Sequence, residues 1–312
     1  MFWKKSRQLN TNTVSSRTNE ELHAEIELLR RRVVNLEYAA LLLNQEMIGQ
    51  FETFVNLIRP RDLVEGSLIR VGNNGDGGYV ISNSILKTDK LKRIISIGIG
   101  HEYSFEEFFL GNGFSVLGID GSVENPLPKE NAFIFHRNFI GAEFRKQSKS
   151  NLGSSFLSFE DVIRKSEWDF EVELVKVDAE GHEYEILENN LANISKSTQI
   201  VIEFHGLELM LDANFMNKLI RILANLSTTH YPIHLHGNNA GRSIRFANGD
   251  FPTIIEVTFL RKEMCKSDSN AMSLPGTIDF PNVAVRSDID LSPFISTQVS
   301  SSNVLKTICD WL

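Results

Sequence analysis

The chain has 312 residues, 42% of them hydrophobic and 23% charged, with a net charge of −8. That suffices for one full-sized core plus an accessory segment, and it argues against a nucleic-acid binder, which needs clustered Lys and Arg to neutralise phosphates. Two cysteines, Cys265 and Cys309, exclude a disulfide framework and a cysteine-based zinc site.

Residues 1–19 are polar and rich in Ser, Thr and Asn, and read as a disordered lead-in. The basic start MFWKK lacks the apolar stretch of a signal peptide, and no run approaches the ~18 apolar residues of a membrane-spanning helix. The expected location is cytoplasmic, with no transmembrane segment and no nucleic-acid partner.

Over residues 20–59 the sequence predicts a helix. Leu22, Ile26, Leu29, Val33, Leu36, Ala40, Leu43 and Met47 alternate four and three residues apart, which is a heptad register. The flanking pairs Glu25/Arg30 and Arg32/Glu37 have opposite charge, as a parallel coiled coil wants across its seam. Self-association through residues 20–50 is expected. The register drifts at Phe51, Phe54, Val55 and Ile58, which are candidates for docking on the following domain, and Pro60 ends the helix.

Residues 60–295 then alternate strands and helices. Strands are expected at 94–99, 115–119, 132–137, 173–177, 199–204, 233–236 and 254–260. Helices are expected at 104–110, 159–165, 183–191 and 215–226. The alternation predicts a parallel, doubly wound α/β sheet, whose ligands bind at the carboxyl ends of the strands. From Lys266 the composition predicts an irregular strap lying on the domain, and 296–312 a C-terminal tail.

The chemistry should therefore sit just after each strand. The first strand ends in Gly98-Ile99-Gly100, where glycines let the backbone turn sharply and approach a ligand. The second ends in Asp120, whose carboxylate suits the two hydroxyls of a ribose. The third position of a dinucleotide fingerprint is Tyr103 rather than glycine, so a nucleoside cofactor without a pyrophosphate fits better. The fourth strand ends in Asp178-Ala179-Glu180-Gly181, carboxylates able to accept from a cofactor ammonium, a substrate hydroxyl or a metal. Glu183 reads as a charge favouring a helix N-terminus. Glu203 and His205 share one side of the next strand, and His234 and His236 repeat the spacing further on. His205 or His236 is a candidate general base toward an acceptor hydroxyl. Alternatively, both with Asp178 or Glu180 are candidate ligands of a divalent metal, which is not expected here, or the histidines are structural. His101 is a further site-edge candidate. Asn74-Gly75-Asp76-Gly77-Gly78-Tyr79 reads as a hairpin turn whose Asp76 and Gly77 can also wrap a ligand.

GDGGYV at 75–80, SIGIGHEYSFE at 96–106, VLGIDGS at 116–122, LVKVDAEGHEYEIL at 174–187 and VIEFHG at 201–206 together resemble the FkbM-type methyltransferases, in particular a methyltransferase-like subgroup carrying DGGY. HLHGNN at 234–239 and IIEVTFLRK at 254–262 are similar to the same group, so the resemblance spans about residues 64–290. It implies a Rossmann-like seven-stranded fold and methyl transfer from S-adenosylmethionine (SAM), typically to oxygen, on sugars, glycans or other small acceptors. Carried onto these residues, Gly98 and Gly100 flank the methionine portion, Asp120 holds the ribose, and Asp178 and Glu180 line the reaction site. Two positions depart from the broader methyltransferase pattern: Ser96 replaces an acid and Glu102 a glycine. Asp76 or Glu102 is the candidate substitute for the lost carboxylate. A methyltransferase-like scaffold without activity, oligomerised by its coiled coil, is the competing expectation.

Overall fold

The computed structural model describes residues 19–42, 45–89, 91–141, 155–246, 249–267 and 273–295. Most of the expected lead-in, Leu43 of the heptad run, Cys309 and the 296–312 tail lie outside these.

Helix α1 (Asn19–Leu42) and helix α2 (Gln45–Ile58) come first. A hairpin of β1 (Leu68–Val71) and β2 (Tyr79–Ser82) follows, closed by the Asn-Gly-Asp-Gly-Gly turn. The domain continues with β3 (Arg93–Ile97), α3 (Ser104–Gly111), β4 (Ser115–Ile119), β5 (Phe133–His136), and the short β6 (Phe139–Ile140) and β7 (Phe156–Leu157). Then come α4 (Phe159–Lys165), β8 (Leu174–Val177), α5 (Glu183–Ile194), β9 (Gln199–Phe204), α6 (Ala213–Leu226) and β10 (His230–Gly237). The chain closes with the hairpin β11 (Ser243–Phe246) and β12 (Gly249–Pro252), β13 (Ile255–Arg261) and α7 (Ser292–Ile295).

Seven strands form the central sheet, in the order β5-β4-β3-β8-β9-β13-β10. The expectation of a wholly parallel sheet needs one correction: β13 runs antiparallel to both β9 and β10. No helix separates β10 from β13, only the β11–β12 hairpin, so the chain has no crossover with which to return parallel. The strand order reverses at β3, which pairs with β4 on one side and β8 on the other. Such a switch point opens a crevice at the carboxyl ends of those two strands.

Side chains alternate across the sheet, so each face has its own core. On one face Ile95, Ile97, Val175, Val177, Ile200 and Ile202 pack against α2, α4, α5 and α6. On the other, Ile94, Val116, Leu174 and Val201 meet α3 and the β1–β2 hairpin. That second face turns polar toward its carboxyl edge. Ser96, Lys176, Glu203, Glu256 and His236 share it, and all are buried. The hairpin is tied over this face by Gln199, whose side chain exchanges two hydrogen bonds of 2.9 Å with the Ser82 backbone. Thr258 adds a third bond, to the Val80 carbonyl.

Helix α2 docks on the domain through Met47, Ile48, Phe51, Phe54, Val55 and Ile58, all buried. Burying each such large apolar side chain is worth about 1.5–3 kcal/mol against leaving it in water. Helix α1 differs. Val34 touches the core and Glu27 pairs with Arg242, but Leu22, Ile26, Leu29, Val33 and Leu36 stay exposed, Leu36 at 70%. Among the described residues, no helix is long and apolar enough to cross a membrane.

Candidate active site

The glycine loop is built around the switch point. Gly98 takes φ +77°, and a Cβ there would lie 1.5 Å from the Asp178 carbonyl oxygen, so only glycine lets β3 and β8 meet this closely. Gly100 also takes a positive φ, +64°, but nothing lies within 4 Å of its would-be Cβ. The loop is thus packed against β8 at Gly98 and open at Gly100.

Asp120, at the end of β4, grips this loop. One carboxylate oxygen accepts from the Ile99 and Gly100 amides, both at 2.8 Å, and the other from the Ser122 amide and hydroxyl. Burial alone would raise its pKa; the bonds from Gly100, Ser122 and Ile99 overcome this and hold it below the usual carboxylate range. Its four acceptor sites are already in use by the chain.

The two departures from the methyltransferase pattern have local explanations. The Ser96 hydroxyl donates to Glu106 Oε1 at 2.5 Å, and Glu106 is fully buried on α3. A buried carboxylate thus lies beside the β3 position, on the facing helix, while Asp76 is exposed on the turn. Glu102 instead caps α3 by accepting from the Ser104 amide at 2.9 Å. A Cβ on Gly77 would lie 2.3 Å from its Cγ, so the Asp76-Gly77 turn packs directly on the glycine loop.

At the carboxyl edge a buried charged network joins three strands and the hairpin. The Tyr79 hydroxyl lies 2.9 Å from both Asp178 Oδ2 and Glu203 Oε2. Lys176 Nζ donates to the Gly98 carbonyl at 2.6 Å, stands 3.6 Å from Asp178 Oδ2, and sits over the Tyr79 ring. Burial would lower its pKa, but Asp178 and Glu106 outweigh that and keep it an ammonium. Glu203 is pushed well above the usual carboxylate range, by burial first and then by the charge of Asp178. Asn238 donates to its Oε1 at 2.8 Å.

His205 completes this corner. Its Nδ1 lies 2.9 Å from Glu183 Oε1, and its Nε2 faces Glu180 Oε2 at 3.5 Å and Glu203 Oε1 at 3.7 Å. Burial would lower its pKa, but the Glu183 bond and charge, with Glu203 and Asp178, push it up to about 9. Glu180 projects its side chain into solvent from a left-handed backbone, φ +50°, a conformation that costs a non-glycine residue about 1–2 kcal/mol.

His236 does not join His205. It pairs across β13 with Glu256, which in turn pairs with Glu203, so two strand spacings of ~4.8 Å each separate it from β9. Its ring is fully engaged, with Nδ1 3.2 Å from Glu256 and Nε2 3.1 Å from Asp288. Asp288 and Glu256 overcome the effect of burial and push its pKa up to about 10. His234 likewise holds Asp279 at 2.8 Å. Both histidines, with Asn239 bonded to the backbone of 283–287, fasten the strap 273–295 to the sheet edge. Asn282 on that strap reaches Glu256 at 2.7 Å and Asp76 at 3.5 Å, closing it over the hairpin turn. His101 is exposed at the rim.

Tyr79, Lys176, Glu106, Glu203 and Asn238 of this site had no assigned role in the sequence reading. Lys176 left a trace, a lone cation inside the apolar strand LVKV. Glu183 is more than a helix-end charge, since it also accepts from the Ala179 and Gly181 amides and so shapes the β8–α5 turn.

Counted in chain order, the sheet reads 3-2-1-4-5-7-6. That is the dinucleotide-binding order with one antiparallel strand inserted, and with the glycine loop and Asp120 it defines the Rossmann-like methyltransferase fold. A family model described as a methyltransferase domain matches residues 44–234, and the chain belongs to that family. The match takes in α2 as well as the sheet as far as β10. No curated protein matches the chain. Among solved structures, it is similar to a TehB-like SAM-dependent methyltransferase from Corynebacterium glutamicum, at 13% identity over 56% of this chain and 83% of that one, TM-score 0.32. It is also similar to Aeropyrum pernix fibrillarin with bound S-adenosyl-L-methionine, at 9% identity over 66% and 86%, TM-score 0.33. A third is 1,6-didemethyltoxoflavin-N1-methyltransferase from Burkholderia thailandensis, at 9% identity over 54% and 70%, TM-score 0.29.

Proposed function

We propose that the protein is a SAM-dependent O-methyltransferase of the FkbM type, acting on a hydroxyl of a sugar, glycan or other small acceptor. The observation that carries this reading is the switch point itself: Gly98 closed against Asp178, Gly100 open above, and Asp120 holding the loop between them. The residues fit the cofactor, since open space beside a glycine loop and an acid one strand over suit a nucleoside. Bound there, SAM supplies a methyl group already activated on a sulfonium, so positioning carries much of the rate. Gly98, closed against β8, and the open Gly100 would flank its methionine portion. Asp120 would accept from its ribose in place of the Ser122 hydroxyl. Asp76 and Gly77 border the loop from the hairpin side.

The acceptor meets Asp178, Glu180 and His205 at the β8 and β9 ends. Asp178 orients its hydroxyl, and the proton leaves to this corner, with the Nε2 of His205, once it has given up its own proton, as the candidate base held by Glu183. His236 serves this site at a distance, by fixing the strap.

We further propose that α1 mediates self-association. Its exposed stripe Leu22–Leu36 keeps the heptad spacing and its flanking charges complement each other across a parallel seam. The cytoplasm is the proposed location.

One observation favours the inactive-scaffold reading: all four acceptor sites of Asp120 are taken by the chain itself. Calorimetry with SAM decides between them. Saturable binding that Asp120→Asn weakens at least about tenfold, roughly 1.4 kcal/mol, supports the enzyme; no binding by folded protein removes it.

A further inference from the structure

We infer that Asp178, Glu203 and His205 form a site for one first-row divalent cation, of the manganese or zinc class, at the acceptor corner of the cleft. One ligand atom from each lies within 4.8 Å of the other two. The spacing is informative. His205 Nε2 stands 3.7 Å from Glu203 Oε1, beyond an N–H···O hydrogen bond. Two ligands of one tetrahedral cation, with bonds of about 2.0–2.2 Å, sit roughly 3.3–3.6 Å apart. The separation is too long for a direct bond and close to that of a shared ion.

A second observation lies behind the ring. Histidines that bind metals usually donate their other ring N–H to a carboxylate or carbonyl, which fixes the tautomer and aims the free nitrogen. Glu183 does this for His205 at 2.9 Å. Glu183 is itself fully buried and anchored by the Ala179 and Gly181 amides. The carboxylates are aimed too, Glu203 by Asn238 and Tyr79, Asp178 by Tyr79. Three different elements thus hold the three ligands in register: α5, the turn after β10, and the β1–β2 hairpin.

The ligand set names the class of ion. Magnesium and calcium prefer all-oxygen sites, whereas one imidazole with two carboxylates suits manganese or zinc. Three protein ligands leave a position open, as catalytic sites do and closed structural sites do not. An acceptor oxygen fills it, with the exposed Glu180 beside it. The sequence offered His236 only as an alternative ligand of a metal that was not expected; two strand spacings separate it from β9, and Glu203 takes its place. The inference rests on the acceptor-site reading above and changes one part of it: the cation would lower the acceptor's pKa, and the proton would pass to the exposed Glu180 and solvent rather than to the ligated imidazole.

The test is metal binding by chelator-stripped, full-length protein. Mn²⁺ is titrated with free ion counted by electron paramagnetic resonance, Zn²⁺ by calorimetry, and SAM in a separate calorimetric series. One Mn²⁺ per chain is expected, with affinity lost in His205→Ala and His205→Gln and weakened about 10–100-fold in Glu183→Gln, while SAM binding persists in all three. Circular dichroism confirms that each variant is folded. Unchanged Mn²⁺ affinity in both His205 variants, or no saturable site in the folded parent, overturns the site. SAM binding without Mn²⁺ binding leaves the methyltransferase reading standing and the metal site refuted; Mn²⁺ binding without SAM does the reverse. Displacement of Mn²⁺ by equimolar SAM assigns the corner to the cofactor's own positive charge and overturns the cation as an acceptor ligand.

Discussion

The Tyr79 hydroxyl lies 2.9 Å from Asp178 Oδ2, although 99 positions separate the two in the chain. A phenol carries one proton, so it can donate to Asp178 or to Glu203 but not to both. Whichever carboxylate takes the proton, the one hydroxyl holds both at 2.9 Å. The hairpin turn and the strand ends are thereby one hydrogen-bonded unit.

Replacing Tyr79 with Phe keeps the ring, which packs edge-on against Phe105, and removes the bridge. The expected cost is roughly 1–3 kcal/mol, because buried carboxylates lose a partner. Chemical denaturation reads the stability. Turnover should fall with SAM affinity unchanged, and a variant with wild-type turnover refutes the coupling.

The two loop glycines should respond differently to alanine. At Gly98 the added Cβ meets the Asp178 carbonyl, so Gly98→Ala should prevent normal folding or separate β3 from β8. At Gly100 there is space, and Gly100→Ala should cost about 1–2 kcal/mol for its left-handed backbone while impairing SAM binding more than folding. Thermal melts with and without SAM distinguish them; equal effects on both properties at both sites contradict this division.

His236 makes stability depend on alkaline pH. Its pKa rises from 6.5 to about 10 on folding, so its contribution is complete below pH 6.5 and is lost as pH climbs through 10. Glu256 and Asp288 face the ring directly, and Asp279 and Arg70 lie in the same charge network. The difference in unfolding free energy between the parent and His236→Gln should therefore shrink steadily from pH 6.5 to 10. A pH-independent difference rules out the strap clamp. Proteolysis within 273–295 should accelerate over the same range.

Introducing charge into the exposed stripe of α1, as in Leu29→Glu with Val33→Glu, touches no core contact in the described structure. Both side chains are about half exposed, at 51% and 53%. Thermal stability of the domain should be retained while light scattering shows a lower mass. An unchanged mass means that the stripe does not drive assembly.

The sequence alone was enough for the repeating elements. Strands 115–119 and 199–204 and helix 159–165 were placed to the residue, because a buried strand or an amphipathic helix writes its period locally. The glycine loop, Asp120 and Asp178 were legible for the same reason: each lies at a strand end, and strand ends in such sheets share one edge. Tertiary structure decided what no local period encodes. It ran β13 antiparallel, since strand direction depends on the connection rather than on residue pattern. It set Glu106 of a facing helix against Ser96, and it put Glu203 rather than His236 beside His205. Those outcomes turn on which strands lie adjacent and on which buried charges can be satisfied together, and both are set by contacts between residues far apart in the chain.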